Sequence, residues 1–202
     1  MELQKKPGID FIVDNAGSEA VTDLCLADYL LSTDMAQVVQ LNLKPYPVFV
    51  SDAMIKDIRA TVDFLAGDED GNVKALAARL ARYLDEGRLR LAADAYWSSP
   101  LSAWEMPSPV WSDLARSQLV ISKGDANYRR LLGDRHWPYT TPFAEIVRGF
   151  PAPVVALRTF KSEVIAGLLP GQAEALGERD PEWLINGRRG VIQFAIPHLG
   201  AG

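Results

Sequence analysis

The chain has 202 residues, of which 48% are hydrophobic and 23% are charged, and its formal net charge at pH 7 is -5. This length suffices for one α/β domain with a substantial core, and the acidic balance disfavours nonspecific binding to nucleic acid or to an anionic membrane. The apolar run near the N-terminus is too short for a signal peptide or a membrane span, which favours a cytoplasmic protein.

Strands and helices alternate in the first half of the chain. Runs of β-branched and aromatic residues predict strands over Ile9–Val13 and Val38–Leu43, and a shorter run predicts a third strand over Val48–Val50. Helical spacing of apolar residues predicts a helix after Gly17 and another over Ala53–Leu65. We therefore expect repeated strand-loop-helix units.

The first of these helices contains the single cysteine, Cys25. The pattern places Leu24, Cys25 and Leu31 on its apolar face and Asp23 and Asp28 on other sides. Because Cys25 lies in an apolar run and has no partner for an internal disulfide, we expect a buried thiol in a reducing compartment.

The second half continues the alternation. Its predicted strands are Arg88–Ala93, Leu119–Ser122, Val154–Leu157 and Gly190–Ile196. Its predicted helices are Val73–Glu86, one through Arg130–Leu132, and one that follows Lys161 and ends at Gly167. The alternation predicts a three-layer α/β/α sandwich with a mainly parallel, Rossmann-like sheet, whose ligands bind at the carboxyl ends of the strands.

Oxygen-bearing side chains follow several predicted strands: Asp14, Asn15, Asp52 and Asp125. Parallel strands would bring these donors to one edge of the sheet, where they suit Mg²⁺ or Mn²⁺. With two histidines and one cysteine, the chain cannot assemble the usual ligand shell of a structural zinc ion.

Basic residues lie beside these acids at the strand ends: Lys123, Arg129, Arg158 and Lys161. They could neutralise phosphate oxygens, and a helix beginning near Asp125 would add backbone N–H donors from Ala126, Asn127 and Tyr128. A metal beside cations favours phosphoryl chemistry. Motifs for a P-loop, a dinucleotide site or a serine hydrolase are missing from the sequence. The competing interpretation is that the acids only cap helices and the cations are only solvated.

Four motifs in order resemble the damage-control phosphatase family: Asp14–Glu19, Val50–Asp52, Lys123–Arg129 and Arg158–Lys161. The Arg-Thr-x-Lys element resembles the mark of the subfamily whose usual substrates are sugar phosphates. The resemblance runs from about Asp10 to Phe194 and so covers nearly the whole chain.

The resemblance implies roles for particular residues. Asp14, Asn15 and Asp52 would coordinate a divalent metal, Mn²⁺ or Mg²⁺ and also Co²⁺ or Ni²⁺, while Asp125–Arg129 and Lys161 would contact the substrate. Substrates of the family include fructose 1-phosphate and fructose 6-phosphate. Asp14 or Asp125 could orient an attacking water, and an aspartyl-phosphate on Asp14 fits the same residues.

Larger members of the family carry a helical region ahead of the Asp-Asn motif, whereas 13 residues precede Asp14 here. We therefore expect residues 1–202 to form a single phosphatase domain without that region, which leaves room for a separate helical partner or for self-association. Two other functions stay open. One is an S-adenosylmethionine-dependent carboxyl methyltransferase with Glu19 and Asp52 near the cofactor, although no glycine-rich methyltransferase loop is present. The other is a noncatalytic binder of metal and sugar phosphate.

Overall fold

The structure is a computed structural model that describes residues 8–197. It divides into two compact units, Met1–Ser99 and Pro100–Gly202. The predicted single domain stays a prediction, and each unit is described by itself below.

The first unit holds three strands and three α-helices among its described residues. The strands are β1 (Gly8–Ile12), β2 (Val38–Leu43) and β3 (Leu89–Ala93). The helices are α1 (Ser18–Ser32), α2 (Ile55–Ala66) and α3 (Gly71–Asp85), followed by a 3-10 turn at Ala95–Ser98. The strands are parallel in the order β3-β2-β1, so their carboxyl ends share one edge.

The core of the first unit explains this pairing. Phe11 on β1 is in register with Leu41 on β2, which is in register with Leu91 on β3. Phe11 and Leu41 are completely buried, and the completely buried Leu24 of α1 belongs to the same apolar core. Removal of this apolar surface from water is the main contribution to the stability of the unit.

The expected burial of Cys25 is wrong, because the thiol is exposed. The buried side of α1 runs through Leu24, Ala27 and Leu31, and successive helical residues are turned by about 100°. Asp23 and Asp28 are buried instead, and Asp28 receives two hydrogen bonds from Arg79 of α3, at 2.8 and 2.7 Å.

The strand predicted over Val48–Val50 is also wrong. These residues form an exposed loop, although their β-branched and aromatic side chains favour a strand. The backbone N–H groups of Val48 and Phe49 donate to the carboxylate of Asp52 instead of to a neighbouring strand.

The second unit holds the other three strands and four short α-helices of the described chain. The strands are β4 (Leu119–Lys123), β5 (Val154–Thr159) and β6 (Gly190–Ala195). The helices are α4 (Ser108–Leu114), α5 (Gly124–Leu132), α6 (Phe143–Ile146) and α7 (Gln172–Arg179), with a 3-10 turn at Ala103–Glu105. β4 and β5 are parallel, and β6 is an antiparallel edge strand on β5.

The helix predicted between Lys161 and Gly167 is wrong, because this segment has no regular structure. Its apolar residues Val164, Ile165 and Ala166 are buried, which produced the helical pattern. The backbone carbonyls of Ser162 and Val164 instead accept hydrogen bonds from the side chain of Arg158. The next helix, α7, begins at Gln172.

The predicted fold class, a three-layer α/β/α sandwich with a mainly parallel sheet, is confirmed by the alternation of elements and by the strand directions. Among residues 8–197, none of the helices has the length and apolar character needed to cross a membrane.

Candidate active site

A loop after β1 and a loop before α2 lie side by side at the carboxyl edge of the first unit. The N–H of Ala53 donates to the carbonyl of Asp14 at 3.0 Å, and the N–H of Ala16 donates to the carbonyl of Ser51 at 2.8 Å. This isolated antiparallel bridge pairs Asn15 with Asp52. The predicted ligands Asp14, Asn15 and Asp52, distant in sequence, are thereby brought together.

The Asp52 carboxylate is buried and its two oxygens have different partners. Oδ1 lies against the ammonium of Lys44, the residue that follows β2. Oδ2 accepts from the backbone N–H groups of Val48 and Phe49, both at 2.8 Å. Asp52 therefore holds the exposed 48–50 loop in place, and it shares the ammonium of Lys44 with Asp14.

The Asp14 carboxylate is buried with much weaker compensation. Its Oδ1 lies 3.5 Å from the ammonium of Lys44, and its Oδ2 accepts from the side-chain amide of Asn15 at 3.1 Å. Burial raises the pKa of Asp14 to about 6; the Lys44 charge opposes this shift, while the charges of Glu19 and Asp52 add to it.

Asn15 is oriented by both of its polar atoms. Nδ2 also donates to Glu19 on α1 at 2.9 Å, and Oδ1 accepts from the hydroxyl of Ser51 at 2.6 Å. The chain then turns into α1 at Gly17, whose φ of 73° favours glycine. A cleft of about 460 Å³ opens beside this turn, lined by Ala16, Gly17, Ser18, Val21, Asp57, Ala60, Thr61 and Phe64.

The donor set fits a hard divalent cation. Two buried carboxylates and one amide oxygen are the ligand types that Mg²⁺ and Mn²⁺ take, and the two carboxylates share the ammonium of Lys44. Within residues 8–197, no group of three or more His, Cys, Asp or Glu side chains is placed to hold a metal. Asp14, Asn15 and Asp52 would thus need water or substrate oxygens to complete a coordination shell.

The second unit contains the remaining predicted residues, around Asp125 in the first turn of α5. Asp125 Oδ1 accepts from Nε of Arg158 at 2.7 Å and from the hydroxyl of Ser162 at 3.1 Å. The guanidinium of Arg158 also donates to the carbonyls of Ser162 and Val164. The side chain of Arg158 is completely buried, so its donors are used inside the protein.

Tyr128 lies beneath this guanidinium, with 4.5 Å between the Arg158 Cζ atom and the ring centroid. Its hydroxyl donates to Gln193 of β6 at 2.8 Å, and burial raises its pKa to about 12. Tyr128 is completely buried, so its ring is not accessible for the predicted substrate contact.

The other predicted substrate residues of this unit differ in exposure. Asn127 is buried, and its side-chain amide donates to the carbonyl of Lys123 at 2.9 Å. Arg129 forms two hydrogen bonds with Asp134, at 2.7 and 2.8 Å. Lys161 is exposed, and Lys123 and Ala126 are half-buried.

Two contributors to these clusters were missed from the sequence. Lys44 follows the end of β2 as Asp14 follows the end of β1, so the rule of polar residues after parallel strands could have identified it. Ser162 lies in a segment whose apolar pattern indicated a helix, and nothing in the sequence pointed to its contact with Asp125.

Fold and site together define an α/β protein with a buried pair of carboxylates, suited to a hard cation, at the carboxyl ends of parallel strands. Residues 1–176 match the family described as the damage-control phosphatase ARMT1-like domain. The chain belongs to this family, as the sequence motifs predicted.

Curated relatives named "Damage-control phosphatase ARMT1" are similar over most of the chain. The protein of Rattus norvegicus is 38% identical over 193 residues, which are 94% of this chain and 44% of the relative. The protein of Danio rerio is 38% identical over 198 residues, 96% of this chain and 44% of the relative. The protein of Homo sapiens is 36% identical over 190 residues, which are 92% of this chain and 43% of the relative. The chain therefore spans less than half the length of these relatives.

Proposed function

We propose that the protein is a metal-dependent phosphatase that hydrolyses phosphomonoesters of sugars such as fructose 1-phosphate or fructose 6-phosphate. Membership of the damage-control phosphatase family supports the reaction class. The observation that carries the proposal for this chain is the bridge between Asn15 and Asp52, which places two buried acids and an amide side by side.

In this proposal Asp14, Asn15 and Asp52 hold a divalent cation, Mn²⁺ or Mg²⁺, with Co²⁺ or Ni²⁺ as alternatives. When bound, the cation supplies positive charge that stabilises phosphate oxygens in the transition state. Lys44 orients Asp52 through a buried ion pair. Asn15 is held by Glu19 and Ser51, so its amide is fixed before a ligand arrives.

In the second unit, taken by itself, we propose that the first turn of α5 and Lys161 act as anion-binding groups. The first turn of α5 has backbone N–H groups at a helix N-terminus, and Asp125 occupies that turn. Lys161 is exposed, so its ammonium is available to an incoming anion. Oδ1 of Asp125 already accepts two hydrogen bonds, which leaves Oδ2 available to orient a water.

A screen of phosphate release from full-length purified chain, crossing Mn²⁺, Mg²⁺, Co²⁺ and Ni²⁺ with several sugar phosphates, tests the proposal. Asp14→Ala and Asp52→Ala should each reduce turnover by about 10³-fold or more, because each removes an anionic oxygen donor. Asp63→Ala changes an exposed aspartate of α2 and serves as the matched control. Activity that survives EDTA and both site substitutions would contradict the proposal.

The route of attack needs its own experiment. Direct attack by water and an aspartyl-phosphate on Asp14 use the same residues. Rapid acid quench of a reaction with substrate labelled in the phosphate leaves labelled protein only on the covalent route. Label that appears in the unsubstituted chain would establish the covalent route, and a label mapped to Asp14 would identify the nucleophile.

A further inference from the structure

The two cations of the Arg-Thr-x-Lys element, Arg158 and Lys161, have opposite environments. The side chain of Arg158 is completely buried and donates to Asp125, Ser162 and Val164. Lys161 is exposed, and its ammonium makes neither an ion pair nor a hydrogen bond within residues 8–197. A phosphate could reach Lys161 without breaking any contact, whereas at Arg158 it would have to displace buried partners.

Arg158 joins two pieces of chain that are distant in sequence. Its Nε holds Asp125 in the first turn of α5, and one terminal nitrogen donates to both the carbonyl and the hydroxyl of Ser162, at 2.8 and 2.9 Å. The Ser162 hydroxyl donates in turn to Asp125 Oδ1 at 3.1 Å. Arg158, Ser162 and Asp125 therefore form a closed triangle of hydrogen bonds.

The aromatic rings around the guanidinium fix its plane. Arg158 Cζ lies 4.5 Å from the ring centroid of Tyr128 and 5.3 Å from that of Phe160. Cation-π contacts and a planar set of donors favour arginine strongly over lysine at this position. The contacts hold the 160–166 segment in its irregular course, since the carbonyls of Ser162 and Val164 are turned toward Arg158.

We infer that Arg158 is a positioning residue that, with Ser162, fixes Asp125 and the segment carrying Lys161, the residue to which the proposed function assigns anion contact. The effect on turnover rests on the proposed function. The effect on the 160–166 segment does not. Asp125 and Lys161 would then reach the substrate in a geometry set before binding.

The test uses the full chain and four variants: Arg158→Lys, Ser162→Ala, Lys161→Met and the control Arg116→Lys. Arg116 forms an exposed ion pair with Asp113, so its replacement matches the chemical change at Arg158 in a solvated setting. Three quantities are measured: amide hydrogen exchange over 125–128 and 160–166, affinity for inorganic phosphate in the presence of Mn²⁺, and kcat and KM for a sugar phosphate.

Arg158→Lys and Ser162→Ala should speed exchange in both segments by about tenfold, since hydrogen bonds that close the triangle are lost. They should lower kcat while KM changes by less than about twofold, as expected for lost positioning. Lys161→Met should leave exchange unchanged and weaken phosphate affinity by about tenfold. Arg116→Lys should change none of these quantities.

Unchanged amide exchange in both Ser162→Ala and Arg158→Lys would overturn the inference. It would also be overturned if Arg158→Lys lost as much phosphate affinity as Lys161→Met while its amide exchange stayed unchanged. Ser162→Ala keeps the test decisive if Arg158→Lys fails to fold. If the unsubstituted chain neither binds phosphate nor turns over, the proposed function fails, and the exchange data still decide the role of Arg158.

Discussion

Asp14 of the first unit and Asp125 of the second both follow parallel strands, yet their surroundings differ. Asp125 faces the guanidinium of Arg158 and the hydroxyl of Ser162 at short distances. Asp14 is more deeply buried, shares Lys44 with a second acid, and has its pKa raised to about 6. The comparison indicates that Asp125 belongs to a network completed by the protein, whereas Asp14 has negative charge that a further cation could neutralise.

The largest expected effect comes from removing Asp52, the acid that shares Lys44. Asp52→Ala leaves a buried ammonium with only Asp14 at 3.5 Å and frees the N–H groups of Val48 and Phe49. We expect a loss of about 3 kcal/mol in the free energy of unfolding, measured by urea denaturation. Lys44→Met combined with Asp52→Ala should be less destabilised than Asp52→Ala alone. Equal losses would show that Lys44 and Asp52 are not coupled.

The second effect concerns the carboxylate of Asp14. Because the pKa of Asp14 is raised in the folded state, ionisation of this carboxyl lowers the free energy of unfolding. The stability associated with the protonated carboxyl is fully present below about pH 4 and is lost as pH rises through about 6. In EDTA at pH 8, Asp14→Asn should therefore raise the free energy of unfolding by about 1–3 kcal/mol, measured by urea denaturation.

This advantage of Asp14→Asn should shrink as the pH is lowered and vanish near pH 4. Asp63→Asn replaces an exposed aspartate on α2 and provides the control. The difference in stability between this variant and the parent should depend little on pH. A metal-free Asp14→Asn protein that is less stable than the parent at pH 8 would mean that the Asp14 charge is already compensated.

A smaller effect is expected at Tyr128 in the second unit. Tyr128→Phe removes the hydroxyl that donates to Gln193 and leaves a partly buried acceptor without its donor, which should cost about 1 kcal/mol. Because the ring is completely buried, KM for a sugar phosphate should stay within about twofold of the parent value. A large rise in KM with unchanged stability would place the hydroxyl at the substrate.

The smallest effect is expected from Asp134→Asn, which removes the charge opposite Arg129. Asp134 has a φ of 52°, a conformation that asparagine also tolerates, so the substitution tests charge alone. The hydrogen bonds from Arg129 lower the pKa of Asp134, so this stabilisation is present above about pH 4 and is lost as pH falls through the lower folded value.

Both partners of this pair are solvent-exposed, so the loss at pH 7 should be about 0.5 kcal/mol and should shrink in high salt. Thermal unfolding at pH 7 and pH 3 measures it. A loss of several kcal/mol would mean that the pair anchors α5 much as Arg158 anchors Asp125.

The sequence predicted the strands well because their apolar runs are local signals. Val38–Leu43 was predicted with its observed bounds, and β1 begins and ends one residue before its prediction. The same rule places Asp14 after β1, whereas Asp52 lies beside Asn15 through an isolated bridge and not at the end of a strand. The correct strand predictions depend only on residue patterns within each strand-loop-helix unit.

Two of the failures come from side chains that bind backbone groups three to six residues away. Val48 and Phe49 favour a strand, but their N–H groups bind Asp52. The residues after Lys161 favour a helix, but Arg158 takes two of their carbonyls. The prediction that Cys25 is buried failed for a different reason. Neighbouring residues of a helix point in different directions, so Cys25 is exposed although it lies next to a buried leucine. Side-chain to backbone contacts of this kind leave no periodic signal in the sequence.

Calorimetric titration of the metal-free chain with Mn²⁺ tests whether Asp14 is a metal ligand, using the parent, Asp14→Asn and Asp125→Asn. We expect one Mn²⁺ site in the parent, its loss in Asp14→Asn, and its retention in Asp125→Asn. Retention of the site in Asp14→Asn, or its loss only in Asp125→Asn, would rule out the proposed metal site at Asp14.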